Sequence, residues 1–272
     1  MRKFAFNITI TALLAGIIGG VLRYFYLTRA VEPDTGLPML GSAPHVALVA
    51  FVVLVVVLVF ALSYIVWRFF GAKEDFRDML TPVNSFYRVT TGIAALLIFI
   101  AGAIAVVPAF KGGTVSYAAL IQAVLMMLTG VCLIGLSHES YGKKPLRGAY
   151  FFSIVPEIAM TYWLLIYYRT TQINPTLLTY VFIALALAAS AFAFYFMAAA
   201  VFGRRSPARF VFSHCLAIFF PIMSLFDGIP IYYKLCFIGL AVYFAVNLVR
   251  YLGNLQTLKK TRQTTAATEE DI

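Results

Sequence analysis

Charge is scarce in this chain. Only 12% of its 272 residues are Asp, Glu, Lys or Arg, against about 25% in ordinary soluble domains, and 11 are acidic. Side chains that hold metals are scarcer still. The three histidines, His45, His138 and His214, lie far apart, and no HExxH pattern follows any of them. The cysteines Cys132, Cys215 and Cys236 are dispersed through apolar runs, which excludes a CxxC-type metal or redox site and makes them small packing residues. No Gly-rich phosphate loop, GxSxG elbow or pair of neighbouring catalytic carboxylates appears, so no enzyme is expected. Haem ligation needs an axial pair, and His214 is the one histidine inside an apolar run. Neither a metal nor a cofactor is expected.

What fills the chain instead is apolar: 62% of its residues are hydrophobic. One core cannot bury that much surface, so lipid must be its solvent. A spanning helix needs about 20 mostly apolar residues. The segments 4–27, 44–69, 89–110, 115–137, 148–168, 176–202, 208–226 and 229–252 meet that requirement. The first follows Arg2 and Lys3 but is too long, and lacks the small-residue cleavage pattern, for a signal peptide. These spans predict an all-α, polytopic transmembrane bundle of eight helices, a single domain over 1–260. The polar stretch 261–272 reads as a disordered cytoplasmic tail.

The net charge of +10 would suit nucleic acid or an anionic membrane surface. Its distribution decides between them. All but five of the 21 Lys and Arg residues fall at one set of helix ends; the exceptions are Arg23, Arg29, Lys111, Arg169 and Lys234. Such alternation is the positive-inside pattern of an even number of spans with both termini cytoplasmic. The basic face then meets anionic lipid headgroups, and no nucleic-acid partner is needed. Compactness and the lack of organelle signals point to a bacterial inner (plasma) membrane. At the opposite ends, Glu32, Asp34, Asp227 and Lys234 read as solvated loop charges. The stretch KEDFRD over 73–78 reads as a short interfacial helix, and His138-Glu139 as part of an inner loop.

A weak self-similarity runs through the chain. YLTRAVEP (26–33) resembles YRTTQINP (168–175), FGAK (70–73) resembles FGRR (202–205), and Arg88 and Arg209 each open a following span. The pattern suggests two four-helix halves, 1–140 and 141–260, in the same orientation, as in transporters built from parallel repeats.

The position with most chemical content is Glu157, directly after Pro156 in the fifth span. It lies nine residues from Gly148, roughly 14 Å deep and near the midplane of a core about 30 Å thick. A carboxylate there is costly and by default functional. Ser153 and Thr161, one turn away on either side, extend it into a polar stripe expected to face the bundle or a water-filled cavity. His214 and Gln122 are the further candidates for a substrate or ion pathway, and a Glu157–His214 pair would make a proton relay. The expected function is small-solute or ion transport through a midplane Glu site. The alternative is a non-catalytic anchor or accessory subunit of a larger complex, including a quinol-facing redox anchor. Small residues at Gly16 and Gly20, and the alanines over 184–193, read as helix-packing surfaces, internal or toward a second copy or a protein partner.

Overall fold

The computed structural model describes residues 2–32, 34–35, 37–39, 41–70, 85–110, 116–141, 147–171, 177–204 and 206–270. Among them are eight helices: α1 (Arg2–Arg29), α2 (Ala43–Phe70), α3 (Ser85–Ala109), α4 (Tyr117–Tyr141), α5 (Arg147–Thr171), α6 (Leu177–Val201), α7 (Pro207–Ser224) and α8 (Ile231–Glu270). Every one contains a stretch long and apolar enough to cross a membrane. In hydrocarbon each backbone donor must be satisfied within its own segment, so apolar runs of this length become helices. The eight expected spans coincide with these helices.

Two boundaries differ from expectation. His138 falls inside α4 rather than in a loop. The helical backbone of α8 continues to Glu270, through most of the stretch expected as an unstructured tail. No Gly or Pro follows Gly253, and Lys, Arg, Gln, Ala and Glu all sustain a helix once one is nucleated. Between α1 and α2 the chain folds back tightly: the Met39 amide donates to the Ala30 carbonyl at 2.8 Å and Glu32 to Leu37 at 3.0 Å. The KEDFRD stretch lies outside the described residues.

Each helix from α3 to α8 packs along the next, and α8 returns to α3, closing a ring of six. The pair α1 and α2 lies against α7, with α1 also touching α8. This pairing gives the four-helix repeat no support: α6 packs along α7, whereas its counterpart pair, α2 and α3, forms no comparable contact. Burial follows position. In α7 and α8, 78% and 72% of the spanning window is buried, against 22% in α2. The most apolar helix is the outermost one, because lipid tails solvate aliphatic side chains as well as a protein core does.

Aromatic side chains fill the ring. Trp163 of α5 stacks on Phe237 of α8 at 5.6 Å and meets Tyr233 at 4.7 Å. Nearer the basic end, Phe194 of α6 packs on Phe244 at 4.8 Å. Close approach of the walls depends on glycine. A Cβ at Gly130 of α4 would lie 2.7 Å from the Ala95 carbonyl oxygen of α3, and one at Gly20 of α1 would collide with the Phe226 ring.

Candidate functional site

Glu157 sits in an α5 that runs unbroken through Pro156. The face of α5 toward the ring is taken by Ala159, Met160, Trp163 and Tyr167, all buried. Glu157 stands at the edge of the opposite face, half-buried, with Thr161 exposed one turn on. Ile158 and Leu165, 54% and 62% exposed, complete that surface. The polar stripe that the sequence directs into the bundle is therefore split. Ser153 turns inward and donates to its own helix, to the Tyr150 carbonyl at 2.9 Å. Thr161 turns outward.

The other two candidates are elsewhere. His214 is fully buried near the basic end of α7. Its ring stacks on Phe210 at 3.8 Å and meets Phe244 edge-on at 5.3 Å. Its Nδ1 lies 2.8 Å from the Phe210 carbonyl oxygen. Gln122 is buried near the other end of α4, where its amide donates to the Tyr233 hydroxyl at 3.5 Å. Among the described residues no hydrogen bond or ion pair joins Glu157 to either of them. Thus the five residues do not converge on one site: Glu157 and Thr161 lie on the outer side of α5, Ser153 on its inner side, and His214 and Gln122 elsewhere.

One buried ion pair is a contact that the sequence does not announce. Arg23 Nε of α1 donates to Asp227 Oδ1, in the turn between α7 and α8, at 2.8 Å, with the two side chains only 0% and 5% exposed. Asp227, expected as a solvated loop charge, is thus a buried ion-pair partner. The turn that follows α7 brings it back over the end of the bundle, where α1 meets it. The Arg23 guanidinium also lies over the rings of Phe182, at 4.7 Å, and Tyr26, at 5.1 Å. Burial pushes the Asp227 carboxyl above the ordinary carboxylate range, although Arg23 pulls it down. Desolvation is thus the larger influence on this carboxyl, and in a buried pair it can exceed the Coulombic gain. The one clue in the sequence is an arginine inside an apolar run.

This end of the bundle is rich in partly satisfied polar atoms. Tyr26 Oη, Trp163 Nε1, Tyr167 Oη and Asp227 Oδ2 are buried without a hydrogen-bond partner among the described residues. At the opposite end Arg250, counted by sequence among the headgroup-facing charges, is also buried, and it donates to Asn247 Oδ1 at 3.5 Å. The three cysteines are free and buried. Among the described residues no three His, Cys, Asp or Glu side chains gather. Comparison with family models, with curated proteins and with solved structures finds no match to this chain. Eight apolar helices make it an integral membrane protein of the multi-pass kind.

Proposed function

We propose that this chain is a non-catalytic membrane subunit whose α5 docks a transmembrane segment of a protein partner. The observation that carries this reading is the placement of exposed Thr161, with half-buried Glu157 at its edge, on a face of exposed aliphatic side chains. A carboxyl group at the edge of a lipid-facing surface is costly, and a hydroxyl or amide on a neighbouring helix would satisfy both side chains. The aromatic filling of the ring, from Trp163 to Phe244, supports the same reading, because it suits a rigid scaffold.

A photo-crosslinking residue placed at Leu165, which is 62% exposed, tests it in native membranes. A discrete protein adduct, lost when Glu157→Leu is added, is the expected result. Crosslinks to lipid alone would sink the proposal. The carrier reading rests on the mid-depth position of the same carboxyl. It predicts that Glu157→Gln abolishes proton- or cation-linked uptake in proteoliposomes while leaving the crosslink unaffected.

A further inference from the structure

Between α2, α6 and α7, toward the basic end, a groove of about 530 Å³ opens on the membrane-facing surface. That volume lies within the about 300–1,000 Å³ of small-ligand sites. Its walls are Phe60 and Trp67 of α2, Phe192 and Phe196 of α6, and Phe212 of α7. Phe60 meets Phe212 edge-on at 6.2 Å, and Phe192 meets Phe196 at 4.7 Å. Seven residues separate Phe60 from Trp67, so the groove runs roughly 10 Å along the helix axes. One cation lines it: Arg209, in the first turn of α7 and exposed. Arg68, next to Trp67, and Arg204, at the end of α6, are exposed at the same end of the bundle.

We infer that this groove is a binding site for one anionic phospholipid, its phosphate on Arg209 and an acyl chain along the aromatic wall. The layout is that of an amphiphile in outline, with a positive charge at the end where the headgroups lie and apolar surface from there inward. Guanidinium groups match phosphate oxygens bidentately, and Trp and Tyr side chains concentrate at headgroup depth. Charge complementarity selects a lipid over a second apolar helix, which would leave Arg209 without an anion. The site is independent of the docking face on α5, being lined by α2, α6 and α7 alone.

The chain has two tryptophans. Trp163 is buried at 1% exposure and Trp67, in the groove, is 52% exposed. Fluorescence quenching by chain-brominated lipids therefore reads the groove, with Trp67→Phe giving the Trp163 background. In phosphatidylcholine bilayers, brominated phosphatidylglycerol is expected to quench Trp67 at a mole fraction about fivefold lower than brominated phosphatidylcholine does, the effect of one cation near the surface. Arg209→Gln, a change at an exposed position, and Ala208→Leu, which narrows the groove, should each abolish that preference. Equal quenching by the two headgroups in the unaltered chain overturns the inference, as does a preference that survives Arg209→Gln.

Discussion

Arg23 and Asp227 are 204 residues apart in sequence and 2.8 Å apart in space. Their ion pair ties the far end of α1 to the turn between α7 and α8, and so clamps the peripheral helix pair onto the six-helix ring. A charge taken out of water must be paired, and this pair is enclosed by Tyr26 and Phe182.

Breaking that pair should be costly, and removing it should not. Asp227→Ala leaves a buried guanidinium facing no carboxylate and is expected to destabilise by about 3–5 kcal/mol. The double change Arg23→Met with Asp227→Leu should recover most of that loss, because apolar residues of similar volume often replace a buried ion pair at little cost. Unfolding in mild detergent, followed by tryptophan fluorescence, measures both. A double variant as unstable as the single one would show that the pair is a net stabiliser.

Trp163 anchors the ring through its area rather than its indole nitrogen. Its Nε1 has no hydrogen-bond partner among the described residues, while its ring packs on Tyr233 and Phe237. Trp163→Ala should cost about 3–5 kcal/mol. Trp163→Phe keeps an aromatic ring, removes an unpaired buried donor and should cost clearly less. Thermal unfolding midpoints of the two variants make the comparison. Equal losses would mean that the nitrogen is engaged.

His214 behaves as an aromatic packing residue, stacked on Phe210 and edged by Phe244. Replacement by Phe is expected to cost less than about 1.5 kcal/mol, since the lost contact to the Phe210 carbonyl is worth about 1 kcal/mol. Replacement by Ala should cost about 3–5 kcal/mol, as for other large buried rings. If His214→Phe abolished an activity of the assembled complex while leaving stability unchanged, the residue would have a chemical role that its packing does not express.

Gly130 sets the distance between α3 and α4. A methyl group there would stand 2.7 Å from the Ala95 carbonyl oxygen and 2.9 Å from Phe99 Cβ. Since backbone cannot swing aside as a side chain can, Gly130→Ala should part the two helices and cost about 1–3 kcal/mol, in the range of overpacked cores. Gly92, whose added Cβ would meet nothing within 4 Å, serves as the control. Gly92→Ala should be neutral or slightly stabilising in the same unfolding assay.

The eight spans were legible because spanning is a local property: each apolar run is long enough by itself. The inside and outside of each helix were less legible. Ser153, Glu157 and Thr161 share a face by spacing, yet Ser153 bonds its own helix and Thr161 reaches the surface. In lipid, Ile158 on the outside and Met160 on the inside are equally apolar, so periodicity carries little information about direction. The placement of Glu157 at mid-depth came from counting residues. Which neighbours it faces did not.

By itself the sequence determined the class, the number of spanning helices among the described residues and the end at which basic residues gather, for a plain physical reason. Hydrocarbon thickness sets a helix length, and unsatisfied backbone forbids any other spanning form. Tertiary structure alone decided that α7 and α8 are central, that α2 is peripheral, and that Asp227 is sealed against Arg23. Those outcomes depend on which surfaces meet. Between helices whose inner and outer faces are alike in composition, that choice is made by close packing at positions such as Gly130, and by the few charges that must find one another.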